Sequence, residues 1–135
     1  MALDDRTPLP SSLVNRPRVL VVDDEPSIRM IARVMLERAG YAVEEVGDAA
    51  GTVQRAGAGG CRFEVVLLDV SLPDRTGVEL MAELRTLAPR TRVVLMSGRS
   101  EEDVPGHGAD GYLAKPFTRD QLITTVRTVT GLTPH

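Results

Sequence analysis

Short apolar runs alternate with segments of helical period from Arg18 almost to the C-terminal end, and nothing else in the sequence restricts the fold as much. Val19-Leu20-Val21-Val22 is compact enough for a buried strand, and Ile28, Ile31, Ala32, Met35 and Leu36 then recur at helical spacing. Pro26 suits the first turn of that helix and Gly40 its C-terminal stop. The alternation continues with a strand over 41–46, a helix capped by Asp48 and ending near Gly57, and a strand over 64–68. Thr76 and Glu79 form a capping box ahead of a stripe of Leu80, Met81, Leu84 and Leu87. A strand over 92–96 follows, then a short helix from Ser100 to Asp103 that Pro105 should stop, and a strand over 111–114. A second capping box, Thr118 with Gln121, opens a last helix carrying Leu122, Ile123, Val126 and Val129 on one face.

Five strands and about five helices in alternation, with the strands apolar on both faces, imply a parallel sheet covered on both sides. Five strands fit the flavodoxin-like doubly wound order 2-1-3-4-5 better than a six-stranded order, and in such sheets function lies at the carboxyl ends of the strands near the switch between strands 1 and 3. A chain of 135 residues fits one domain. Residues 1–17, with Pro8, Pro10, Ser11, Ser12 and Pro17, read as a tail or linker, 18–130 as the domain and 131–135 as a short C-terminal tail. No apolar run approaches a membrane span, and the first residues carry neither a basic nor an apolar leader region. Cys61 is the single cysteine, so no internal disulfide forms, which agrees with the cytoplasm as the expected location. A net charge of −3, with 3% aromatics and no basic block, argues against a nucleic-acid binder.

The polar residues that stand out fall at the strand ends. Asp23 and Asp24 follow the first strand, Asp69 the third, Ser97 the fourth and Lys115 the fifth. Each has a plain reading alone: a cap or turn for the aspartates and the serine, a solvated surface for the lysine. Together they place three carboxylates, a hydroxyl and an ammonium around one crevice. Crowded carboxylates take up protons or bind a cation. A site of oxygen donors with no His or Cys selects a hard ion, magnesium foremost, with manganese or calcium as alternatives. Such a site suits phosphoryl transfer, with Asp69 as a nucleophile able to form an acyl phosphate. Gly57-Ala58-Gly59-Gly60 lacks the Lys-Ser/Thr pair of a phosphate loop and reads as a connector. His107, between glycines, reads as a solvated loop residue.

The residues match a known pattern from about Arg18 to Val129. The acidic pair lies in Val21-Val22-Asp23-Asp24-Glu25-Pro26, and Asp69 is followed by Pro73 and Gly77, four and eight residues on. Met96-Ser97-Gly98 and Gly111-Tyr112-Leu113-Ala114-Lys115-Pro116-Phe117 complete the set. In this order the chain resembles the receiver domains of two-component response regulators. The resemblance implies that Asp69 is the phosphoacceptor. It also implies that magnesium is held by Asp24, Asp69 and the backbone carbonyl of Ser71, with Asp23 acting through water. Ser97 then resembles the switch hydroxyl, Tyr112 the aromatic switch, and Lys115 the partner of the phosphoryl oxygens, next to a Lys115–Pro116 bond that is usually cis in the family. Ser71 and Arg99 occupy positions that resemble sites tuning phosphoryl lifetime.

The donor implied is a phosphohistidine on a sensor histidine kinase or histidine phosphotransfer protein, or a small acyl phosphate. The response implied is a changed surface over the fourth expected helix, strand 5 and the last helix, read by a downstream protein. The span from Ser97 to Lys115 is a few residues shorter than is usual, which implies a short fourth helix and a likeness to receivers carried by hybrid sensor kinases. Two other functions share the pattern in part. An aspartate-nucleophile phosphatase carries a second Asp two residues after the nucleophile, where this chain has Ser71. A pseudo-receiver that works by binding alone has no need of the acidic pair, acceptor and lysine that this chain keeps.

Overall fold

Each of the five strands runs parallel to its neighbours in a single sheet. The computed structural model describes residues 16–57, 63–98 and 108–131. Its elements are β1 (Arg18–Val22), α1 (Pro26–Arg38), β2 (Ala42–Val46), α2 (Ala49–Ala56), β3 (Val65–Asp69), α3 (Gly77–Leu87), β4 (Arg92–Ser97), β5 (Gly111–Ala114) and α4 (Arg119–Thr130). The spatial order is β2-β1-β3-β4-β5, the doubly wound order expected from the alternation. Four helices stand among the described residues; the short helix expected over 100–103 lies outside them.

Strand parity sorts the core into two layers. Val19, Val21, Val65, Leu67, Val94, Met96 and Leu113 point to one face and pack with Ala32 and Leu36 of α1 and Leu122, Ile123 and Val126 of α4. Leu20, Val22, Val66, Leu68, Val93 and Leu95 point to the other and pack with Ala49 of α2 and Leu80, Met81 and Leu84 of α3. A strand buried on both faces cannot alternate polar with apolar, which is why β3 reads as an unbroken apolar run ending in one aspartate. β2 is an edge strand and carries Glu44 and Glu45 in succession. Successive residues face opposite sides, so Glu44 pairs with Arg18 and Arg55 while Glu45 pairs with Arg29 and Arg33.

The helix ends follow their sequence signals. Pro26 occupies the first turn of α1, and past its end Gly40 takes the left-handed φ of 102° that L side chains avoid. The Asp48 carboxylate accepts from Gly51 N at the start of α2, and both capping boxes are reciprocal, Thr76 with Glu79 and Thr118 with Gln121. Such caps are worth about 1 kcal/mol each, enough to fix where a helix begins. With parallel strands starting at one rim, every βα connection that follows a strand emerges at the other. Strand register brings Val22 beside Leu68, Asp69 beside Met96, and Ser97 beside Ala114, so the residues just after each strand end share that rim. No helix among the described residues is long and apolar enough to cross a membrane.

Candidate functional site

Asp23 is pinned from several sides where β1 ends. Its N–H donates to Val46 O at 3.2 Å, its Oδ1 accepts from Glu25 N at 2.9 Å, and its carbonyl oxygen accepts from Arg29 Nη1 at 2.6 Å. Its side chain is fully buried, with Lys115 Nζ 2.6 Å from Oδ2. Asp69 ends β3, is 5% exposed, and accepts from Ser71 N through Oδ1 at 3.1 Å. Asp24 stands exposed at the mouth. One carboxylate oxygen from each of the three lies within 4.8 Å of the others. The convergence expected of these residues is therefore present.

Electrostatics follows from that crowding. Burial pushes the Asp69 carboxyl from its ordinary 3.8 up to about 6. The Ser71 N–H opposes the rise, Asp23 adds to it, Lys115 opposes it and Asp24 adds again. For Lys115 burial acts to lower the pKa. The hydrogen bond to Asp23 and the charges of Asp69, Asp23 and Glu25 outweigh it, so the ammonium is held above its usual range. Its Nζ is 2.6 Å from Asp23, 3.6 Å from Asp69 and 4.0 Å from Glu25. The lysine thus leans on the buried aspartate more closely than on the candidate acceptor, a preference that strand ends alone do not reveal.

The loop after Asp69 is tight for a steric reason. Gly77 N donates to Val70 O at 2.7 Å, and an isolated antiparallel bridge pairs Ser71 with Thr76. A Cβ on Gly77 would stand 2.5 Å from Asp69 O and 2.9 Å from Val70 Cα. The glycine eight residues after the aspartate is there for space, so that α3 can start against the backbone at the end of β3. Ser97 is buried at the end of β4, and its carbonyl accepts from Lys115 N at 2.7 Å. Tyr112, half-buried, packs against the layer that contains Val93 and Leu95, and the Lys115–Pro116 bond is cis. Arg99 and His107 lie outside the described residues.

Two residues that sequence reasoning passed over belong to the same rim. Arg29 reaches from α1 to the Asp23 carbonyl, and Asp74 reaches from the loop after Asp69 to the first turn of α2. Asp74 acts across 25 residues, and Arg29, six residues from Asp23, also reaches Glu45 across 16. Nothing in their sequence surroundings marks them, since Glu25 lies one helical turn from Arg29 and Arg75 directly follows Asp74.

The family model for the response regulator receiver domain matches residues 19–127. The chain belongs to the receiver family. Its relatives include the probable transcriptional regulatory protein TcrX of Mycobacterium tuberculosis, 34% identical over 85% of this chain and 51% of TcrX. The sensor kinase CckA of Brucella abortus is 33% identical over 81% of this chain and 12% of CckA. The receiver thus spans about half of one curated relative and a small part of the other. Among solved structures, the chemotaxis response regulator CheY4 of Vibrio cholerae superposes with a TM-score of 0.78 at 30% identity, covering 85% of this chain and 99% of CheY4. The response regulator TrrA of Thermotoga maritima, solved in complex with Mg2+ and BeF, gives 0.76 at 28% identity over 84% and 98% of the two chains. A Burkholderia pseudomallei response regulator solved with a phosphorylated aspartic acid, a calcium ion and citrate gives 0.73 at 29% identity over 85% and 69%.

Proposed function

We propose that this receiver accepts a phosphoryl group on Asp69 from a phosphohistidine donor, with magnesium held in the acidic pocket, and passes the change to a partner protein. The observation that supports the reading most is the meeting of three carboxylates within 4.8 Å, two of them buried, beside the Lys115 ammonium. The donor set suits the ion. It consists of oxygen atoms alone, and the buried member with a raised pKa stands to gain from a nearby divalent charge. Asp24, Asp69 and the Ser71 carbonyl are the proposed direct ligands, with Asp23 acting through water; manganese would fit the same donors. When bound, magnesium would neutralise charge on the phosphoryl oxygens.

The chain's own residues do the rest. Asp69 supplies the nucleophilic oxygen. Its bond to phosphorus forms as the P–N bond of a donor protonated on its other ring nitrogen breaks, leaving a neutral imidazole and an acyl phosphate. Asp23 holds Lys115 at the rim, where the ammonium can swing toward phosphoryl oxygens on Asp69. Ser97, buried beside it, offers a hydroxyl to the same oxygens, and Tyr112 moves inward with it. That is a shift between two states of one fold, read out over the surface of β5, α4 and the segment before them. The donor is a sensor histidine kinase or a histidine phosphotransfer protein, and the reading takes 18–130 as the domain, with 1–17 and 131–135 flanking it. The protein acts as a signalling element and turns over no substrate of its own beyond uptake and loss of this phosphoryl group.

Acetyl phosphate with magnesium should add one phosphoryl mass to the native chain and none to Asp69→Asn. An unchanged mass in the native protein would overturn the reading. Fluorotyrosine labelling checks the switch, because the chain has two tyrosines and Tyr41 is fully buried. Phosphorylation should move the Tyr112 resonance and leave that of Tyr41 in place; a fixed Tyr112 signal would remove it from the switch.

A further inference from the structure

The two loops that supply the carboxylates are each tied to a third segment, the end of β2 and the start of α2, that supplies none. Arg29 lies one turn into α1. Its Nη1 donates to the Asp23 carbonyl at 2.6 Å, and its Nε donates to Glu45 Oε1 on β2 at 3.3 Å. The same guanidinium rests against Gly47, its Nη1 3.2 Å from where a Cβ would stand. On the other side of the pocket, Asp74 leaves the loop after Asp69 and spans to the start of α2. One oxygen accepts from Ala49 N at 2.9 Å and the other from Ala50 N at 3.1 Å. Asp48 already accepts from Gly51 N in the same turn. A helix has few free N–H groups at its start, and here two carboxylates divide them, one belonging to a loop 25 residues away.

We infer that the corner from the end of β2 into the first turn of α2, residues 45–50, is a brace for the metal pocket, and that Arg29 and Asp74 are positioning residues acting through it. The inference rests on the functional reading above and deepens it. Strand hydrogen bonds fix the sheet up to Val22 and Asp69, but the groups that would bind the ion lie at and beyond those ends. Like charges within 4.8 Å push the two loops apart. Magnesium demands near-ideal octahedral geometry, so its affinity falls steeply when ligand oxygens splay by a fraction of an ångström. Arg29 fixes the peptide between Asp23 and Asp24. Asp74, inside the loop that the Ser71–Thr76 bridge closes, fixes that loop to the start of α2. Both tethers end on one rigid strand-to-helix corner, so the spacing between the two ligand loops is set by a third element.

Magnesium binding to the full chain, followed by amide chemical shifts, tests this alongside the initial rate of phosphorylation by acetyl phosphate. Arg29→Met and Asp74→Ala should each raise the magnesium half-saturation about tenfold, the usual scale for groups that orient ligands without touching the metal. At saturating magnesium the rate should return to within about twofold of the native chain. Arg29→Lys and Asp74→Asn, which keep one donor or acceptor, should fall between. Thr91→Val serves as the control. It removes a buried hydrogen bond to Phe63 O at the far rim, so it should lower the melting temperature and leave half-saturation unchanged. Native half-saturation in the folded Arg29 and Asp74 variants would overturn the brace, and so would an equal rise in Thr91→Val. If the native chain binds magnesium but takes no phosphoryl group, the functional reading fails while the brace stands tested by the shifts.

Discussion

A carboxyl held at about 6 in the folded chain and near 3.8 when unfolded prefers its proton in the folded state. For Asp69 that preference contributes stability fully present below pH 3.8 and lost as pH rises through about 6. The gap corresponds to about 3 kcal/mol as an upper figure, since a unit of pKa is worth about 1.4 kcal/mol. Above pH 7 without metal, ionised Asp69 therefore works against folding. Asp69→Asn removes the charge and keeps the shape, so the metal-free variant should be more stable than the native chain by about 1–3 kcal/mol at pH 8. The advantage should shrink toward zero near pH 4. Urea unfolding of both chains without magnesium at the two pH values checks this; a variant less stable than native at pH 8 would show that Lys115 and the Ser71 N–H already compensate the charge.

At the level of elements, what the sequence made readable were the features that act locally. Apolar runs gave the strands, Thr76-x-x-Glu79 and Thr118-x-x-Gln121 gave two helix starts, and Gly40 gave a stop, because caps, turns and side-chain periodicity involve neighbours within four residues. The pocket was readable too, because parallel strands deliver their ends to one rim whatever lies between. The tethers were not. Asp74 meets α2 across 25 residues and Arg29 meets Glu45 across 16, distances at which no periodicity operates. Nor did the strand ends show that Lys115 sits closer to Asp23 than to Asp69. Gly77 joins the two kinds of information. Its place at the start of α3 is a sequence pattern, and its necessity is the contact with Asp69 O. Gly77→Ala should cost about 2–3 kcal/mol, because the new methyl meets backbone on two sides and one of the joined elements must move. Denaturant unfolding measures the loss, and phosphoryl uptake should fall with it. A change under about 0.5 kcal/mol would mean that the loop yields easily.

For the molecule as a whole, protons and the proposed divalent ion would compete for the same carboxylates, so stability, pH and metal would be linked. Among the described residues the group whose shift acts between pH 5 and 8 is Asp69; the Asp74 carboxyl, held below its ordinary range chiefly by the Ala49 N–H, lies on the acid side of that window. Its contribution has the opposite sign, present at higher pH and lost as pH falls through its lowered value, so the two effects separate along the pH axis. Between pH 5 and 8 the metal-free chain should become less stable as Asp69 ionises inside the pocket. The same ionisation creates the ligand, so magnesium should stabilise little at pH 5 and progressively more above 6. At a hundredfold excess over its dissociation constant, a ligand bound only by the folded state adds about 2.7 kcal/mol, roughly 10 °C in melting temperature for a domain of this size. Melting curves with and without magnesium should therefore diverge as pH passes about 6, and in Asp69→Asn the divergence should be much reduced. Parallel curves across that range, in a chain that still takes up phosphoryl groups, would mean that the ion and the proton do not share Asp69, and that the pocket's charge is balanced by Lys115 alone.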